Sequence, residues 1–115
     1  MLNVNGTFTA TNEDGLCRIV ENFNAIPGFC TCDYNRNGLT GECYGRIRPY
    51  GLDHLEKVLA RLTECFESCV INITDEDDGY QFRYRLYDNG IQWVEEEQVI
   101  SYKVTAVLYS DGHKR

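Results

Sequence analysis

The chain has 115 residues, enough for one hydrophobic core and not for two. Eighteen Asp and Glu against 11 Lys and Arg leave a net charge of −7, which argues against direct binding to nucleic acid or to an anionic membrane, since both select basic surfaces. No apolar run approaches the length of a membrane span, and the start, Met1-Leu2-Asn3-Val4-Asn5-Gly6-Thr7-Phe8, lacks the basic and apolar regions of a secretory signal, so a cytoplasmic protein is expected.

From Leu2 the chain alternates. Leu2, Val4, Phe8 and Ala10 share one face and Asn3, Asn5, Thr7 and Thr9 the other, which predicts a half-buried strand. Thr11-Asn12-Glu13-Asp14 then supplies an N-cap and first-turn acids. Leu16, Ile19, Val20 and Phe23 follow at helical spacing, predicting a helix over about 12–24 that Pro27-Gly28 stops. Residues 29–34 and 40–48 read as strands joined by Asn35-Arg36-Asn37-Gly38. Leu52, Leu55, Leu59, Leu62, Phe66 and Cys69 step by three and four, with Val58 and Cys65 widening the stripe, which predicts a second helix. Val70-Ile71-Asn72-Ile73 is a short strand. Residues 80–87 and 91–95 form a hairpin about Asp88-Asn89-Gly90, and 99–109 alternates again.

The order β-α-β-β-α-β-β-β-β predicts a single α+β domain over 1–109 with a flexible tail at 110–115. Its economical packing is a mostly antiparallel sheet with two helices on one face, in ferredoxin-like order with a C-terminal β extension.

The negative charge is concentrated. Asp75-Glu76-Asp77-Asp78 and Glu95-Glu96-Glu97 hold seven carboxylates, and without them 11 acidic residues would balance 11 basic ones. With Asn89-Gly90 as a two-residue loop, Leu86 meets Trp93, Arg85 meets Val94, Tyr84 meets Glu95, Arg83 meets Glu96 and Phe82 meets Glu97. Both acidic runs then gather at one end of the sheet. Glu95 and Glu97 fall on the nominal face of Trp93, so a bulge or an uncovered sheet end is expected there.

Three readings of that end stand side by side. It can be a solvated loop and a protected edge. It can be a partner-binding surface made of Asp75, Glu76, Asp77, Asp78, Glu95, Glu96 and Glu97, because closely spaced carboxylates imitate the charge density of nucleic-acid phosphates. It can be a divalent-cation loop, although the twelfth position of an EF-hand pattern begun at Asp75 is Leu86 and not Glu.

Six cysteines are expected to be free thiols in a reducing compartment. Cys30, Cys32 and Cys43 are candidate zinc ligands across a hairpin, with Cys17 or His54 as a fourth. The spacing lacks paired C-x2-C knuckles, and alternation of Cys30 and Cys32 also suits core packing. Cys65 and Cys69, one helical turn apart on this reading, are small buried hydrophobes. Neither His54 nor His113 can be placed beside a thiol, and no phosphate loop, nucleophile elbow or metalloprotease helix occurs, so no catalytic residue is assigned. Arg46 with Arg48 and Arg83 with Arg85, accompanied by Tyr44 and Tyr87, would form a basic-aromatic patch if their strands were neighbours, or would pair with acids such as Glu96 and Glu42.

Residues 44–102, through Gly45-Arg46-Ile47, 52–62, Asp75-Glu76-Asp77-Asp78-Gly79, Tyr80-Gln81-Phe82 and Asp88-Asn89-Gly90, resemble small acidic α+β proteins of bacteriophages and mobile elements. That resemblance implies an anti-defence role, of the anti-CRISPR or anti-restriction type, in a host cytoplasm. With the focused charge it leads to a non-enzymatic acidic module that engages the basic surface of a nucleic-acid-binding defence complex. The alternatives are a cysteine-based zinc-binding module and a small cysteine-dependent enzyme.

Overall fold

The computed structural model describes residues 1–35, 37–86, 92–98 and 102–109, and at 32–34, 92–98, 102–105 and 109 it describes the backbone. The expected turn Asp88-Asn89-Gly90 and the tail at 110–115 lie outside the described residues. Among the described residues no helix is long and apolar enough to cross a membrane.

Strand β1 spans Leu2–Ala10 and buries every second residue, as its alternation requires. Helix α1 spans Glu13–Asn24, and the Asn12 side chain accepts a hydrogen bond from the Gly15 N–H at 2.8 Å, satisfying one of the free donors of the first turn. Strands β2 (Phe29–Asn35) and β3 (Thr40–Ile47) follow, then α2 (Gly51–Arg61), a 3-10 turn (Thr63–Cys65) and β4 (Phe66–Asp75). Strands β5 (Gln81–Leu86), β6 (Gln92–Gln98) and β7 (Tyr102–Tyr109) complete the described chain.

All seven strands belong to one sheet, in the order β2-β3-β1-β4-β5-β6-β7, with every neighbouring pair antiparallel. The protein is therefore α+β, an antiparallel sheet with two helices. One sheet face is apolar. Leu2, Val4, Phe8, Cys43, Ile47, Cys69, Ile71, Ile73, Tyr84 and Leu86 are buried there with Leu16, Ile19 and Phe23 of α1 and Leu55, Val58 and Leu59 of α2. Phe8, Phe23, Phe29 and Phe66 meet at its centre, mostly edge to face, with centroids 5.1–6.0 Å apart. The other face carries Asn3, Asn5, Thr7, Glu42, Tyr44 and Arg46.

The second helix is shorter than its apolar stripe predicts. It ends at Arg61, and Phe66 and Cys69 belong to β4. The cause is a bulge. Thr9 pairs with Ser68 but Ala10 pairs with Phe66, so the ladder skips Glu67 and leaves two exposed residues between buried Phe66 and buried Cys69. That three-residue step imitates helical spacing. The Thr63 hydroxyl also bonds back to the Leu59 and Ala60 carbonyls, at 3.2 and 2.9 Å, and so closes the helix end. Cys65 and Cys69 are consequently not one helical turn apart, but both are buried.

Strands β5 and β6 pair in the register that the Asn-Gly turn predicts, from Leu86 opposite Trp93 to Phe82 opposite Glu97. Glu95 and Glu97 keep the register face of Trp93, opposite Tyr84 and Phe82, and a register shift occurs in the next ladder on β7. Glu95 lies opposite Ala106 and Glu96 opposite Val104, so Thr105 is bypassed.

Candidate functional site

The acidic turn joins β4 to β5 and is built by its own side chains. The Asp75 N–H donates to the Tyr80 carbonyl at 2.8 Å, and the Gly79 N–H donates to the Asp75 carbonyl at 2.8 Å. Gly79 takes φ +75°, a conformation that glycine adopts without side-chain penalty. Within this frame one oxygen of the Asp75 carboxylate accepts from the Asp77 N–H at 2.9 Å, and one of Asp78 accepts from the Tyr80 N–H at 2.8 Å. Two of the four acids are thus explained locally: aspartate folds the turn by capping backbone donors.

Glu76 is held from outside. Its N–H donates to the Met1 carbonyl at 3.1 Å, and its carboxylate receives Nε and Nη2 of Arg46 at 2.9 and 2.7 Å. This two-pronged pair reaches from β3 across the ends of β1 and β4. Hydrogen bonding from Arg46 draws the Glu76 carboxyl below its ordinary range, opposed by partial desolvation and aided by the charges of Arg46 and the α-amino group. Glu76, Asp77 and Asp78 are exposed and Asp75 is half-buried.

The second acidic run lies on the neighbouring hairpin strand. Thr74 pairs with Gln81 at the mouth of the turn, and Glu97 is opposite Phe82, the next residue along. The backbone of β6 therefore carries Glu95, Glu96 and Glu97 toward the end of the sheet at which Asp75–Asp78 project. Arg83 lies opposite Glu96 on one side and Asn72 on the other.

The basic-aromatic patch is not assembled. Strands β1 and β4 separate β3, which carries Tyr44 and Arg46, from β5, which carries Arg83 and Arg85. Tyr44 instead faces Asn5, which accepts from Asn72 at 3.4 Å, and Arg46 is committed to Glu76. Tyr87 lies outside the described residues.

Two of the three cysteines singled out as zinc ligands, Cys30 and Cys43, occupy different surroundings. Cys43 is buried in the core and lies opposite Thr31, whereas Cys30 is half-buried and lies opposite exposed Tyr44, so the two thiols address opposite faces of the sheet. Cys32 is at the register position opposite Glu42. Among the described residues no group of three His, Cys, Asp or Glu side chains could share a metal ion. Cys17 and His54 are exposed on α1 and α2. Burial pushes the Cys69 thiol well above its ordinary value, with Cys43 adding to the effect.

Arg46 is the site residue that sequence reasoning missed. It was visible only as a member of a strand face, and nothing local points from it to an acid 30 positions away. No family model matches the chain, and no curated protein or solved structure is significantly similar to it.

Proposed function

We propose that the protein is a non-enzymatic binding module whose acidic end engages the basic surface of another protein, in the manner of a phage-type anti-CRISPR or anti-restriction inhibitor occupying the groove of a nucleic-acid-binding defence complex. The observation that carries this reading is the pinned acidic turn. Asp75 and Asp78 are held by backbone donors and Glu76 by Arg46, so the exposed carboxylates of Asp77 and Asp78 sit on a framework that loses little freedom on binding. Strand β6 adds Glu95, Glu96 and Glu97 on the side of β5 away from β4. On the same reading the first six elements are a ferredoxin-like unit, β5, β6 and β7 are its C-terminal extension, and the protein acts in the cytoplasm.

The test is a neutralised variant that spares the turn. Asp77→Asn with Glu95→Gln, Glu96→Gln and Glu97→Gln removes four charges and keeps Asp75 and Asp78 in place. Affinity purification with the wild type should recover a basic protein that is released by rising salt and displaced by duplex DNA, while the variant recovers far less. Equal recovery by both proteins, or a partner indifferent to DNA, would remove the proposal.

A further inference from the structure

Away from the acidic turn, a groove of about 340 Å³ lies between the loop that follows α1 and the start of α2. That volume is at the lower end of small-molecule sites, roughly 300–1,000 Å³. Met1, Ile26, Pro27 and Ile47 supply apolar lining, and Gly28 and Gly51 leave it open. Around it stand Arg48, Tyr50 and His54, all exposed, Tyr50 to 78%. Among the described residues the side chains of these three have no hydrogen-bond or ion-pair partner.

The local charge is opposite to that of the molecule. Arg46 also lines the groove but is neutralised by Glu76, and Asp53, the acid in the first turn of α2, is paired with Lys57 at 3.0 Å. Among the described residues Arg48 is thus a guanidinium with no acid paired to it, beside an apolar hollow, on a chain of net charge −7. A guanidinium presents two parallel donors, which match the two oxygens of a carboxylate. The carbon-rich lining matches an apolar body, and the Arg48 guanidinium matches one carboxylate.

We propose that this groove binds a small carboxylate with an apolar body the size of a single aromatic ring. Arg48 takes the carboxylate, the Tyr50 hydroxyl donates a further hydrogen bond, and Ile26, Pro27 and Ile47 cover the ring.

Sodium benzoate is the probe, titrated to about 10 mM at constant ionic strength into the ¹⁵N-labelled full chain, with benzyl alcohol as the uncharged control. The expected result is saturable shifts at the amides of Gly28, Gly51 and His54. Benzoate should bind about tenfold or more tightly than benzyl alcohol, and Arg48→Ala should lose about tenfold, on the scale of a charge-assisted contact. Arg61→Ala, which removes an exposed cation from the last turn of α2 and away from the groove, should bind like the wild type. Shifts that do not saturate, benzyl alcohol binding as tightly as benzoate, or Arg48→Ala binding as tightly as the wild type would each overturn the assignment.

Discussion

Gly79 and Gly28 have almost the same backbone conformation, φ +75° and +78°, and very different surroundings. A Cβ built on Gly79 meets nothing within 4 Å, so Gly79→Ala adds a conformational cost and no clash. A left-handed non-glycine residue costs about 1–2 kcal/mol. Restriction of the unfolded chain by alanine returns about 0.4–1 kcal/mol. The net loss should therefore be about 1 kcal/mol, a fall in Tm of a few degrees for a domain of this size. A Cβ on Gly28 would lie 2.3 Å from the Arg46 carbonyl oxygen, on the strand to which Gly28 is bonded through its own carbonyl, where the Arg46 N–H donates at 2.9 Å. Gly28→Ala carries the same conformational cost and must also displace backbone against backbone, for about 3 kcal/mol or more in total. Urea unfolding followed by circular dichroism measures both, and the m-value should be unchanged for Gly79→Ala. Gly79→Asn should recover part of the loss, because asparagine tolerates the left-handed region. Equal losses at the two glycines, or Asn at 79 worse than Ala, would show that the turn is not held as described.

Three other outcomes follow from the packing. Tyr84 is fully buried and its hydroxyl donates to Glu56 at 3.1 Å, so Tyr84→Phe should cost about 1–2 kcal/mol in the same melts, and Glu56→Gln less, because the amide oxygen can still accept. Arg46 holds the Glu76 carboxyl below its usual pKa, and a depressed carboxylate stabilises the fold above its unfolded pKa and loses that contribution as pH falls through the folded one. The stability gap between wild type and Arg46→Ala should therefore be open at neutral pH and close below about pH 4. In thiol labelling read by mass spectrometry, Cys17 should react in the native protein, and Cys43, Cys65 and Cys69 only on unfolding.

The β5–β6 register was legible from the chain because its sequence signals are local: Asn89-Gly90 predicts a two-residue loop, and the pairing of Arg83 with Glu96 and Leu86 with Trp93 that it implies is the one found. The end of α2 was not, because a bulge at Glu67 gives a strand the spacing of a helix, and no Gly or Pro marks the true stop at Arg61. The arginine patch failed for a topological reason. Alternation correctly groups Arg46 with Tyr44 and Arg83 with Arg85, but strand order across the sheet decides which groups meet, and β1 and β4 intervene. The acidic turn lay between the two cases. Its position was read from composition, whereas Asp75 and Asp78 as its caps and Arg46 as the clamp on Glu76 emerge only from three-dimensional geometry.

Strand β1 has a consequence for the order of assembly. It pairs with residues 40–47 on one side and 66–75 on the other, Leu2 with both Ile47 and Asp75. Within β2–β3 and within β4–β5–β6–β7 each strand pairs with its neighbour in sequence, whereas β1 lies between β3 and β4 in the sheet. The sheet is therefore complete along its third strand only when both 40–47 and 66–75 have been brought to β1. Such long-range closure is slow. Until it occurs, the facing edges of β3 and β4 are two unpaired ladders, and these are the surfaces through which nascent chains would exchange strands or aggregate.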